Sequence, residues 1–205
     1  MAPSFTSCKP QKRWLALIAT RSNVPGFLGW GRRLGKVAAL IVGGGRGLRF
    51  GGVVPKQYQT LNGEPILHRT VRTFAEHPGV DIIQTVIHPD DIKFFENATK
   101  DFNLADPVWG GKSRQESVFM GLQQLKSANP RHVLIHDAAR PFVSSSLISR
   151  VLSALNVSSA AIPLLPVTDT LKQVIEGQVM QTVPRDGLWV AQTPQGIQFN
   201  DILRA

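Results

Sequence analysis

The 205-residue chain has a single cysteine, Cys8, so no disulfide framework can staple it and a reducing compartment suits it. It also lacks a long apolar run. The stretch Trp14 to Ala19 is far shorter than the roughly 20 apolar residues a membrane helix needs, and it falls short of a secretory core. The five histidines are scattered without zinc-ligand spacing. Residues 1–36 contain no acidic side chain but seven basic ones, Lys9, Lys12, Arg13, Arg21, Arg32, Arg33 and Lys36. That segment carries most of the formal net charge of +9; beyond it 16 basic side chains face 14 acidic. A nucleic-acid partner is therefore not expected, because its basic stripe would lie in the folded part. A membrane partner is not expected either. Residues 1–36 read as a basic, disordered extension, or as an organelle transit segment, which is characteristically Arg-rich and acid-poor. The expected location is the cytoplasm, or an organelle stroma or matrix in the second case.

Residues 37–205, with an ordinary 42% apolar content for the whole chain, suit one domain with one core. Strand and helix signals alternate along it. Val37 to Val42 reads as a buried strand, Pro65 opens a helix with Leu67, Thr70, Val71 and Phe74 on one face, and Ile82 to Ile87 is a strand. Asp90 to Asn97 reads as a short helix. Ser113 caps a helix with Glu116 as its capping-box partner and Val118, Leu122 and Leu125 as its apolar stripe. His132 to Ile135 is a strand carrying Asp137 to its C-terminal end, Leu147 to Leu155 is helical, and Ala160 to Leu164 is a strand. Lys172 to Ile175 and Val179 to Val183 form a hairpin across Glu176-Gly177-Gln178. This order predicts an α/β fold, a mostly parallel sheet flanked by helices, with ligands at the strand C-termini.

The glycine-rich turn Gly43-Gly44-Gly45-Arg46-Gly47-Leu48-Arg49 follows the first strand, and Pro55-Lys56-Gln57 follows the turn. Glycines there let backbone N–H groups approach a phosphate, while Arg49 and Lys56 add two fixed cations. The turn fails the dinucleotide fingerprint, and the segment from Asp106 to Ser113 only approaches the P-loop pattern. A tight turn alone explains such a cluster as well as a phosphate site does.

Six motifs in order narrow the choice: GGGRGLR, PKQY, GGKSRQES, HDAARP, VTDTLK and PRDGLWVAQTPQ. From about Val37 to the last residue the chain resembles 2-C-methyl-D-erythritol 4-phosphate cytidylyltransferase, and most of all the bifunctional forms in which a cyclodiphosphate synthase domain follows. The resemblance implies a Rossmann-like nucleotidyltransferase fold with a β-hairpin arm over residues 167–186. It implies CTP and 2-C-methyl-D-erythritol 4-phosphate as substrates, Mg²⁺ as cofactor, and a homodimer through exchanged arms. The implied reaction yields CDP-methylerythritol and pyrophosphate for non-mevalonate isoprenoid precursor synthesis.

Residue by residue, the resemblance assigns Arg49 and Lys56 to the triphosphate and the pentavalent phosphorus. It gives CTP binding to Gly43, Gly44, Gly45, Gly47, Gly110, Gly111, Lys112 and Ser117. It gives the methylerythritol phosphate to Asp137, Arg140, Thr170 and Arg185, with Asp137 also a candidate Mg²⁺ ligand. His136 reads as a packed strand residue. The attacking phosphate has a second pKa of about 6, so no general base is expected; charge compensation is. Two departures from the family pattern stand out. Val42-Gly43 replaces a small-residue pair before the loop glycines. The family also continues through a further helix, a strand and a phosphate-contacting lysine, which makes residues 37–205 an incomplete domain of reduced expected activity. Alternatives left open are a related sugar- or alditol-phosphate nucleotidyltransferase and an inactive dimerising fragment.

Overall fold

Every second residue from Val37 faces one side of a sheet, and both sides of this strand are apolar. Val37, Ala39 and Ile41 join one core cluster, while Ala38, Leu40 and Val42 join another. A strand apolar on both faces needs helices on both sides, and the computed structural model of the protein supplies them. It describes residues 35–45 and 54–204. Most of the basic segment, together with Gly47 and Arg49, lies outside the described residues.

Strand β1 (Val37–Gly43) leads through a 3-10 turn (Lys56–Tyr58) and the short hairpin β2 (Thr60–Leu61) and β3 (Glu64–Pro65) into α1 (Ile66–Ala75). Then follow β4 (Ile82–Ile87), α2 (Ile92–Thr99), β5 (Val108–Trp109), α3 (Arg114–Gln124), β6 (His132–Asp137) and α4 (Ser145–Ala154). The last part contains β7 (Ala160–Ala161), β8 (Leu164–Pro166), β9 (Leu171–Ile175), β10 (Gln178–Val183), β11 (Trp189–Ala191), β12 (Gln195–Gln198) and α5 (Phe199–Ile202). The six-stranded sheet has the order β5-β4-β1-β6-β12-β7. The pairs β5/β4, β4/β1 and β1/β6 are parallel, whereas β12 runs antiparallel to both its neighbours. The expected mostly parallel α/β sheet is thus present. Helices α1, α2 and α4 cover one face with Leu67, Val71, Phe74, Phe95, Ile148 and Val151. On the other face, α3 and the α5 start bring Leu122 and Phe199 against Leu40 and Val86. No helix among the described residues is long and apolar enough to cross a membrane.

Several elements depart from the sequence expectation for local reasons. The helix expected from Asp90 begins as a 3-10 turn over Pro89–Asp91, capped by the His88 ring, and becomes α-helical only at Ile92. The strand expected over Ala160–Leu164 is split in two: β7 stays in the main sheet, while β8 beyond Pro163 pairs with β11 in a separate ribbon. Proline supplies no N–H to continue a ladder. In the capping box, Ser113 Oγ accepts from the Glu116 N–H at 3.0 Å as expected, but the Glu116 carboxylate reaches one residue further back, to the Lys112 N–H at 2.7 Å.

The hairpin expected as an arm is there. β9 and β10 pair antiparallel across Glu176 and Gly177, both with positive φ (50° and 80°). That is the geometry of a two-residue turn matched to strand twist, with glycine where a side chain is least welcome.

Candidate active site

The chain runs from β1 outward to β4 and β5, then returns to the other side of β1 as β6. The crevice between β1 and β6 is therefore a switch point, where doubly wound sheets bind ligands beyond the strand C-termini. Val42 is level with Asp137, Gly43 with Ile87, and Ile87 with Trp109. Three of the sequence-predicted segments, starting at Gly43, Gly110 and Asp137, thus leave the same edge of the sheet.

Two of these segments touch. A methyl group on Gly44 would lie 3.0 Å from Ser117 Oγ and 3.1 Å from Gly110 Cα; one on Gly110 would lie 2.9 Å and 3.0 Å from Ser117 Oγ and Gly44 Cα. Only glycine at both positions permits so close an approach. Ser117 is buried and fastens the contact: its hydroxyl donates to the Ser113 carbonyl at 2.9 Å and accepts from the Gly111 N–H at 3.1 Å. A hydroxyl has two acceptor lone pairs, so one remains. Lys112 is exposed and its backbone N–H is held by Glu116. On the other flank, Gln57 is buried and donates to the Gly43 carbonyl at 2.9 Å, which ties the end of β1 to the 3-10 turn. Exposed Lys56 is the residue before it. Tyr58 stacks on Phe94 at 5.5 Å, and burial, then the neighbouring Asp91 charge, push its phenol well above the ordinary value.

At the end of β6 the turn from Asp137 to Arg140 is pinned from several directions. The Ala138 N–H donates to the Val42 carbonyl at 2.9 Å, and the Ala138 carbonyl accepts from Thr70 Oγ1 of α1 at 3.0 Å. His136, 1% exposed, has its Nε2 3.0 Å from the Arg140 carbonyl and its Nδ1 2.9 Å from Thr193 Oγ1. A carbonyl only accepts, so Nε2 carries the proton and Thr193 donates to Nδ1. Burial outweighs the hydrogen bond to Arg140 and the Asp137 charge, and holds the imidazole down at about 4. His136 is a neutral structural strut, in agreement with its reading as a packed strand residue.

Asp137 points both carboxylate oxygens at guanidiniums. Arg114 Nε donates to Oδ1 and Arg140 Nε to Oδ2, each at 2.9 Å. Arg140 Nη1 donates onward to Gln192 Oε1 at 2.7 Å. Two guanidiniums against one carboxylate leave a net positive cluster, the sign a phosphate requires. The same geometry bears on Mg²⁺. Both Asp137 oxygens are engaged, and no group of three His, Cys, Asp or Glu side chains among the described residues could hold a metal. Mg²⁺ is usually held by one or two carboxylates together with substrate phosphates, so an ion beside Asp137 would take most of its ligands from a bound phosphate.

Thr170 and Arg185 are exposed on the arm, and Arg185 donates to the Thr168 carbonyl beside Thr170. That bond stays on the arm. The structure therefore brings together Gly43, Gly44, Gly110, Gly111 and Ser117, places Asp137 and Arg140 at the same sheet edge, and shows Thr170 and Arg185 exposed on the hairpin segment. Sequence reasoning missed Arg114, Gln57 and Gln192. All three sat inside quoted motifs, Gln57 in PKQY, Arg114 in GGKSRQES and Gln192 in PRDGLWVAQTPQ, but nothing local gave them a role.

Comparisons with known proteins bear on the family and the fold. The 2-C-methyl-D-erythritol 4-phosphate cytidylyltransferase (IspD) family pattern matches residues 37–205. A bifunctional enzyme IspD/IspF of Rhodospirillum rubrum is 52% identical over 173 residues, which are 84% of this chain and 45% of that protein. Its counterpart in Paramagnetospirillum magneticum is 46% identical over 172 residues, again 84% and 45%. The chain thus spans about half the length of these relatives. Among solved structures, the Francisella tularensis 2-C-methyl-D-erythritol 4-phosphate cytidylyltransferase superposes with a TM-score of 0.67 at 32% identity, covering 82% of this chain and 75% of that one. The Thermus thermophilus enzyme gives 0.62 at 32%, covering 82% and 73%.

Proposed function

The chain belongs to the 2-C-methyl-D-erythritol 4-phosphate cytidylyltransferase family, and from that premise we propose that it transfers a cytidylyl group from CTP to 2-C-methyl-D-erythritol 4-phosphate. A phosphate oxygen of the alditol attacks the α-phosphorus of CTP, the α–β phosphoanhydride bond breaks, and pyrophosphate leaves with its electron pair. CDP-methylerythritol remains, as non-mevalonate isoprenoid precursor synthesis requires.

The observation that carries this reading is the Arg114–Asp137–Arg140 cluster beside a glycine-lined cleft at the sheet switch point. It offers two anion sites to two polyanions that repel each other. The nucleotide side is Gly43 to Gly45, Gly47, Gly110, Gly111, Lys112 and Ser117, with Arg49 and Lys56 on the triphosphate. Ser117 retains one acceptor lone pair, which suits the cytosine amino donor. The second side is Arg140 with Asp137, whose charge orients the guanidinium while its oxygens lie near the alditol hydroxyls. The attacking phosphate ionises with a pKa of about 6, so the chemistry needs preorganised cations rather than a base. Neutral His136 is consistent with that. Mg²⁺ belongs on the triphosphate, which supplies the oxygen ligands it prefers.

The arm completes the site in a homodimer. Thr170 and Arg185 of one subunit hold the substrate phosphate in the other. Val174, Ile175, Val179 and Met180 are each more than half exposed, and a two-stranded ribbon with uncovered apolar side chains needs a partner surface. The function is tested by pyrophosphate release from CTP and Mg²⁺ with the methylerythritol phosphate. CTP is expected to support turnover at least tenfold better than ATP, GTP or UTP. Equal rates with all four nucleotides would reduce the site to a generic phosphate binder.

A further inference from the structure

Gln192 lies within the motif PRDGLWVAQTPQ but carries no charge to single it out, and it occupies a junction in the fold. Its backbone N–H donates to the Pro163 carbonyl at 2.9 Å, which joins the two legs of the β8/β11 ribbon where they leave the main sheet. Its side chain leaves the ribbon and accepts from Arg140 Nη1 at 2.7 Å. The next residue, Thr193, is buried and holds the His136 ring, whose far nitrogen holds the Arg140 carbonyl. Arg140 is thus tethered twice to the base of the β8/β11 ribbon that carries the arm (the arm root), by its guanidinium through Gln192 and by its main chain through His136. The Asp137 bond fixes only the Nε side of the guanidinium. A second bond at Nη1 fixes the rotation of the plane and leaves the other terminal nitrogen for an anion.

We propose that Gln192 is a positioning residue that orients the Arg140 guanidinium toward the phosphate-bearing co-substrate and couples that orientation to the root of the arm; this rests on the function proposed above. Gln192 touches no reacting atom and acts through Arg140. A neutral acceptor is required. A glutamate would hold the guanidinium equally well but would cancel the one net positive charge that the two arginines leave over Asp137.

The test is a double-mutant cycle on the full chain. Gln192→Met keeps the volume and removes the acceptor. It is expected to raise KM for the phosphate-bearing alditol about tenfold, the usual scale for a hydrogen bond to a charged group, with KM for CTP and kcat within about twofold. In an Arg140→Ala background the same change is expected to add less than about twofold, because a residue acting through another loses its effect when that other is gone. Gln192→Glu is expected to raise the alditol KM further than Gln192→Met. A tenfold loss persisting without Arg140, an equal rise in KM for CTP, or an unchanged alditol KM would each overturn the proposal. Nitrogen-15 spectra of arginine-labelled protein, with Arg140→Lys to assign the signal, supply a readout without turnover. Slow rotation and distinct Nη signals of Arg140 are expected to collapse in Gln192→Met, and identical spectra would also overturn it. A wild-type chain that released no pyrophosphate would sink the proposed function, while these spectra would still decide whether Gln192 holds Arg140.

Discussion

β1 and the arm are both rich in apolar residues, and they meet opposite surroundings. Six of the seven β1 residues are buried, and helices cover both its faces. In β9 and β10, by contrast, every residue but Leu171 and Val183 is exposed. The difference separates two sources of order. The body supports itself by burial within one chain, at about 25 cal/mol per Å² of apolar surface. The arm has a well-formed turn and ladder but no core, so its order must come from what it lies against. The proposed site straddles the two, with nucleotide groups on the body and Thr170 and Arg185 on the arm.

The largest effect expected is in the body. Phe74 is fully buried and packs on the His136 ring, with ring centroids 5.0 Å apart. Phe74→Ala should cost about 3–5 kcal/mol in denaturant unfolding, the usual range for emptying a large aromatic site. A loss under about 1 kcal/mol would mean that this face of the sheet is not a packed core.

Next comes the strut beneath the site. His136 holds its proton less well in the folded protein, at about 4, than the ordinary 6.5 of an unfolded histidine. Between these values the unfolded chain binds more protons, so stability rises with pH. The contribution is complete above about 6.5 and is lost as pH falls towards 4, by about 3 kcal/mol in all. His132 is shifted downward too, by burial first and then by the Arg131 charge, and adds in the same direction. Unfolding in urea at stepped pH checks this. His136→Gln should flatten most of the slope over that window; an unchanged slope would remove His136 as its source.

A smaller effect tests how the two regions meet. In the proposed site, Lys56→Ala removes one of two triphosphate cations from the body, and Arg185→Ala removes a phosphate ligand from the arm. In an isologous dimer with exchanged arms, a mixed dimer gathers both lesions in one site and spares the other. After joint unfolding and refolding, half the dimers are mixed, so roughly a quarter of wild-type activity should return. Activity staying at the single-mutant level, with mixed dimers confirmed by mass, would mean that the arm serves its own subunit.

Much of the body was legible because its signals are local. The continuous apolar run of β1, the shared face of Leu67, Thr70, Val71 and Phe74, and the Ser113 cap follow from local pattern and backbone chemistry. The hairpin turn at Glu176 and Gly177 was legible for the same reason. What escaped is set by pairing across the chain. β12 is four residues long, has no clear alternation, and enters the sheet between β6 and β7; nothing within Gln195–Gln198 announces that position. Arg114 looks like an exposed first-turn helix residue until β6 brings Asp137 to 2.9 Å. Gln192 acquires its partner only when the arm root folds back on the turn after β6. Motifs named the segments of the site, but the bonds among them depend on tertiary geometry.

The smallest expected effect is also the sharpest test of the contrast between the two regions. Val179 lies on β10 opposite Val174, 63% exposed, and touches no core cluster. Val179→Thr keeps the β-branched shape and strand preference while exchanging a methyl for a hydroxyl. Within a single subunit the change should alter stability by less than about 0.5 kcal/mol, as for other exposed positions. At Val71, buried in the body, the same substitution strands a hydroxyl in an apolar core and should cost about 1–3 kcal/mol. The dimer adds a second, separable reading. If the arm is covered by a partner subunit, Val179→Thr should raise the dimer dissociation constant a few-fold in sedimentation while leaving the unfolding of dilute monomer unchanged. Equal losses of monomer stability at positions 179 and 71 would show that the arm is part of the chain's own core. An unchanged dissociation constant would remove this face of the arm from the interface.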